Sequence, residues 1–130
     1  MTEDPRPELI RKAVDAFNEQ DVPGLLELIH PDVESRVAAG LGNPGTFVGI
    51  EGYLAMMADW GEAWSENQVD LEDVELVDEG ATFVHTRQTV VGAGSGVPVN
   101  FVTVFLVVFD GERAIRFEIH PSRESAAEAL

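Results

Sequence analysis

Three observations predict an α+β domain. Apolar residues of the first half recur at helical spacing, those of the second half follow strand patterns, and the two regimes do not interleave. A length of 130 residues makes this one domain spanning 1–130.

Asp4 and Pro5 read as an N-cap and first helical position. Leu9, Ile10, Ala13, Val14 and Phe17 then give an amphipathic helix over about residues 6–20. Asp21 caps a short second helix with apolar Leu25, Leu26, Leu28 and Ile29. His30-Pro31 ends it, because the residue before a proline avoids helical dihedrals. His30, at a helix end where a cation suits the dipole, reads as structural. A short strand over 33–38 and the punctuated loop AAGLGNPGTF follow. A third helix opens at Gly49, with Ile50, Tyr53, Leu54, Met57, Trp60 and Trp64 on one face.

After residue 66 the period changes. Val69, Leu71, Val74, Leu76 and Val77 suggest one strand, and residues 81–91 another. The glycines of VGAGSGVP (91–98) precede no helix that could hold phosphate, so they read as a hairpin turn. Residues 99–109 are almost wholly apolar, Asp110-Gly111 is a hairpin turn, and 114–120 is the last strand. The tail SRESAAEAL is either one helical turn or a frayed end. Strand 99–109 is apolar on both faces, Val102, Val104, Leu106 and Val108 on one, Phe101, Phe105, Val107 and Phe109 on the other. The helices cover one face. A second copy is the simplest cover for the other, so a homodimer through the outer sheet face is expected.

Composition removes several function classes. With 24 acidic against 8 basic side chains, a net charge of −16 argues against nucleic acid and anionic membranes. The absence of cysteine removes disulfides, thiolate zinc sites and cysteine nucleophiles. The start MTEDPRPE is too polar for a signal peptide, and no apolar run reaches the roughly 18 residues of a membrane span. A soluble, cytoplasmic protein with a small-molecule partner is the expectation.

Three segments carry a resemblance. FNEQDVPGLLELIHPDVESR (17–36), FVGIEGYLAMMADW (47–60) and FDGERAIRFEIHPSRESAAEAL (109–130) resemble the SnoaL-like branch of the nuclear-transport-factor-two-like superfamily. The resemblance implies a cone: three N-terminal helices packed on a curved, mainly antiparallel sheet that encloses an apolar pocket. That superfamily hosts isomerases, epoxide hydrolases, polyketide cyclases and non-catalytic binding domains, so fold alone leaves function open.

Each of these chemistries can be laid on the residues. The ketosteroid isomerase set of a Tyr, an Asp base and a protonated Asp falls on Ala13, Val37 and near Phe105 in that order, none of which can serve. In His85-Thr86-Arg87-Gln88-Thr89, Arg87 matches the Arg of the limonene-epoxide-hydrolase relay, Thr89 replaces one Asp, and Glu118 aligns with the other. Glu118 also resembles the late carboxylate base of SnoaL-type cyclases.

The residues themselves make a second argument. Strand alternation puts His85 with Arg87, and Glu118 with His120. If both faces line the pocket, these four form a general acid–base set with Glu118 as base. The plainer alternative is an Arg87–Glu118 ion pair with two satisfied histidines. The histidines with Glu118 also match a metal triad, a ligand set uncommon in the family, so neither metal nor organic cofactor is expected. Tyr53, Met57, Trp60, Trp64 and Phe105 are the candidate apolar, substrate-binding wall. A cofactor-independent isomerase, cyclase or hydrolase acting on a neutral apolar molecule is one expectation, and a non-catalytic binding or dimerisation domain is the alternative.

Overall fold

Asp4 and Pro5 start the first helix as the sequence suggests, shifted by one position. In the computed structural model, which describes residues 4–38, 45–62, 64–78 and 80–130, helix α1 is Arg6–Asn18 with Pro5 as its N-cap. The Asp4 carboxylate accepts from the Arg6 backbone N–H at 3.0 Å and binds its guanidinium at 2.7 Å. Arg6 also donates to the carbonyls of Asp78 and Ala81, tying the helix start to a sheet turn. Helix α2 (Val22–Leu26) is capped by Asp21, which accepts from the Gly24 N–H at 3.1 Å. It is shorter than expected because the chain joins the sheet early: the Ala114 N–H already donates to the Leu28 carbonyl.

Strand β1 (Ile29–Val37) therefore includes His30 and Pro31, so His30 lies in a strand and not at a helix end. The expected loop lies partly outside the described residues, at 39–44, and its end is a strand, β2 (Gly45–Val48). Gly49 turns the chain into helix α3 (Gly49–Glu62) with a φ of +73°, a conformation that glycine adopts without steric cost. Helix α3 buries Tyr53 and Met56, whereas Leu54 is exposed. Trp64 has already left the helix and opens strand β3 (Trp64–Leu76); its side chain lies outside the described set. Strands β4 (Ala81–Gly92), β5 (Pro98–Asp110) and β6 (Arg113–His120) follow, and Gly111 makes the β5–β6 turn at φ +65°. The tail forms helix α4 (Arg123–Glu128), with Ser122 accepting from the Ser125 N–H.

The six strands form one curved sheet in the order β2-β1-β6-β5-β4-β3. All neighbours are antiparallel except β1 and β6, which run parallel. Register separates the two faces. The rows Val84/Phe105/Ile119 and Thr82/Val107/Phe117 share the face of the main core, with Val37 in line with Ile119. The alternating rows Phe83/Leu106/Glu118 and His85/Val104/His120 point to the opposite, outer face.

That outer face has cover within the chain. Ala126 of α4 is buried against Ala81, Phe83, Val104 and Leu106 in a second, smaller core. Of the apolar β5 residues on the face that suggested a second copy, Val104, Leu106 and Val108 pack in this core with α4, while Val102 stays exposed farther along. No helix among the described residues is long and apolar enough to cross a membrane.

Candidate functional site

Between the helices and the inner sheet face lies a cavity of about 790 Å³, counting its open mouth. Helix α1 contributes Leu9, Ile10, Ala13, Val14 and Phe17, the stripe its 3.6-residue period predicts. Leu25, Leu28 and Ile29 close one end, and Tyr53, Met57 and Trp60 of α3 another. The sheet supplies Val84, Gln88, Phe105, Val107, Phe117 and Ile119, from inward-facing rows. Aromatic edges hold part of this wall in place: Tyr53 meets Phe117 edge-on at 6.0 Å between centroids, and Phe105 meets Phe117 at 5.2 Å.

The wall carries no charged side chain among the described residues. Its side-chain polar groups are the Tyr53 hydroxyl, the Trp60 indole N–H and the Gln88 carboxamide. Burial raises the Tyr53 pKa above its ordinary 10.0, so the phenol stays neutral in any physiological medium. Gln88 is 1% exposed, and its Nε2 donates to Thr103 Oγ1 at 2.9 Å.

Of the expected binding wall, Tyr53, Met57, Trp60 and Phe105 line the cavity. The four residues expected as an acid–base set do not. Alternation pairs them correctly, but His85, Arg87, Glu118 and His120 all point to the outer face, across the sheet from the cavity. Nor does Arg87 meet Glu118. Arg87 is 47% exposed at its side chain and lies 3.5 Å from Glu72, while His85 lies 3.1 Å from Glu75.

Glu118 and His120, each 4% exposed, instead belong to a polar cluster that fastens α4. Glu118 accepts from Arg116 at 2.6 Å and lies 2.8 Å from His120 Nε2. His120 Nδ1 lies 2.8 Å from Ser125 Oγ, and Arg116 donates to the Ala129 carbonyl at 2.6 Å. With its proton on Nε2, the ring donates to Glu118 and accepts from the Ser125 hydroxyl. At the other end of α4, Arg123 forks onto Glu75 at 2.6 and 2.9 Å and stands over the Phe83 ring. These bonds engage both carboxylate oxygens and both ring nitrogens. Their chemistry is that of a clasp between helix and sheet. Among the described residues, no group of three His, Asp or Glu side chains could hold a metal ion.

Sequence reasoning missed Gln88 and the depth of the α1 contribution. The α1 stripe is visible in the sequence as the apolar face of an amphipathic helix, which does not show that it borders a cavity. Gln88 sits two positions from Thr86 and four from Val84 on the inward face, a signal that needed the orientation of β4.

No curated protein matches the sequence. Among solved structures, the chain is similar to a nuclear-transport-factor-two-like protein of unknown function from Burkholderia pseudomallei. That match has 22% identity and a TM-score of 0.82, covering 98% of this chain and 95% of that one. It is also similar to TerC co-crystallised with polyporic acid, with 21% identity and a TM-score of 0.81, covering 96% and 97% of the two chains. A putative SnoaL-like polyketide cyclase from a Jannaschia species has 20% identity and a TM-score of 0.78, covering 100% and 96%. At these identities the likeness is one of fold. Residues 10–121 match the SnoaL-like domain, and the chain belongs to that family.

Proposed function

We propose that this SnoaL-like domain binds a neutral, mainly apolar small molecule between its helices and inner sheet face, with Tyr53, Met57, Trp60 and Phe105 as contact residues. One observation carries the reading: an open apolar cavity whose wall has no charged group among the described residues. An ionised ligand would lose its hydration there without gaining a counter-charge. An acid–base enzyme of the expected kind needs Glu118 at the cavity floor, and Glu118 is held by Arg116 and His120 on the outer face. Binding without proton transfer by Glu118 is therefore the better-supported function. The ligand complex of the similar TerC accords with a small-molecule role.

Thermal unfolding with a panel of neutral apolar ligands tests this. A ligand at about 100 times its dissociation constant adds roughly 2.7 kcal/mol to stability, a shift of several degrees for a domain of this size. The shift should persist in Glu118→Gln and vanish in Ala13→Phe, which fills the cavity from α1. A shift abolished by Glu118→Gln but retained in Ala13→Phe would overturn the reading and return the acid–base one.

A further inference from the structure

Four buried side-chain polar atoms have no hydrogen-bond partner among the described residues: Ser35 Oγ, Asn67 Oδ1, Thr82 Oγ1 and Gln88 Oε1. Of these residues, Gln88 alone belongs to the cavity wall. The other end of its amide is fixed. Nε2 donates to Thr103 Oγ1 at 2.9 Å, and Thr103 Oγ1 lies 2.8 Å from Thr86 Oγ1. Thr86 Oγ1 in turn donates to the Thr103 carbonyl at 3.1 Å. Both threonines are fully buried, so the row exchanges no bond with bulk water.

The protons of this row satisfy every contact in one direction. The amide donates to Thr103, the Thr103 hydroxyl to Thr86, and the Thr86 hydroxyl to the carbonyl. Turning the amide over would make Thr103 donate to Gln88, and the single Thr86 proton would then face two acceptors. The threonine row thus leaves the carboxamide oxygen, an acceptor, as the unmet end. An unmet buried acceptor is unfavourable until a donor reaches it. The Tyr53 hydroxyl can donate or accept, and the Trp60 indole N–H can meet an alcohol or an ether oxygen alike, so neither decides between those two classes of ligand.

We propose that Gln88 Oε1 sets the cavity's specificity by accepting the hydrogen bond of an alcohol or phenol O–H on an otherwise apolar ligand. This deepens the small-molecule reading above and rests on it. Ethers that present only an acceptor would place oxygen against oxygen at Gln88 and bind less well. Shape and apolar area alone would give the opposite order, because a methyl ether partitions from water more readily than the matching alcohol.

Titration calorimetry at pH 7 with 2-naphthol, 2-methoxynaphthalene and 2-methylnaphthalene tests it. On the wild type, 2-naphthol should bind about tenfold more tightly than the other two, the worth of one neutral hydrogen bond. Gln88→Leu should level the three. Thr103→Val removes the acceptor that fixes the amide, so the carboxamide can turn its NH₂ outward, and the ether should gain on the alcohol. Equal wild-type affinities, or a preference that survives Gln88→Leu, would overturn the Gln88 inference while leaving the cavity reading intact. No binding by any of the three would remove both. The wild-type comparison decides the matter even if a variant fails to fold.

Discussion

At position 88 a carboxamide stands where leucine would fill nearly the same volume without an unmet acceptor. Replacing it exchanges one bond to Thr103, which keeps its own donation to Thr86, for relief of that acceptor. We expect Gln88→Leu to raise the unfolding free energy of the empty protein by about 1 kcal/mol, read from urea denaturation. A loss of that size would mean that the amide serves the threonine row and not a ligand. Position 88 was illegible in the sequence for a physical reason. Alternation shows which residues of β4 share a face, but not which face turns inward. His85 and Arg87 carry the more reactive groups, but Thr82, Val84, Thr86 and Gln88 form the inward row. The apolar wall was easier to read, since Tyr53, Met57 and Trp60 follow the period of one helix.

Helix α4 has six residues, too short to persist alone. Its stability comes from where it is fastened: Arg123 on Glu75, Ser125 on His120, and the Ala129 carbonyl on Arg116. Glu118 joins two of these ties, so removing it strands a buried imidazole and a half-buried guanidinium. Glu118→Ala should cost about 2–4 kcal/mol and speed hydrogen exchange through α4. Ligand affinity in the cavity should change less than twofold, because the sheet stands between the two sites. A tenfold loss of affinity would tie the cluster to the cavity after all. The tail SRESAAEAL left helix and fray equally open, because its order depends on contacts with residues far away in sequence. Most other elements were legible, their periods being local. The end of α2 was not, because pairing with β6 overrides its helical pattern at Leu28 and Ile29.

For the whole molecule, a charge of −16 disfavours anions, and the cavity wall, uncharged among the described residues, offers no counter-charge to an ion of either sign. The acid limit of stability follows from particular carboxylates. The Arg6 guanidinium and N–H hold Asp4 at about 2, and Arg123, then His85, hold Glu75 at about 2. Backbone N–H groups of Ala81 and Gly80 also lower Asp78. Lowered folded values mean that these contributions are present above the ordinary 3.8 to 4.5 and are lost as pH falls toward about 2. Tyr53 acts at the other limit: its raised value gives stability that is complete below 10.0 and is lost as pH rises beyond it. The thermal midpoint should therefore be level from about pH 5 to 9 and fall outside that window. Glu75→Gln should cost roughly 0.5–1 kcal/mol at pH 7 and flatten the acid limb; an unchanged limb would put acid sensitivity elsewhere. The overall order of helices and strands was legible, but the β1–β6 pairing was not. That pairing has a temporal side. Val37 meets Ile119, so β1 finds its inner neighbour only after nearly the whole sheet has been synthesised. On the ribosome the nascent N-terminal half carries an open strand edge and an uncovered helix face, and closure of such a distant contact belongs to the slower regime of roughly milliseconds to seconds. The same closure makes the main core the joint product of both halves of the chain, with Ile10, Val33 and Tyr53 from the first packed against Val84, Val107 and Ile119 from the second.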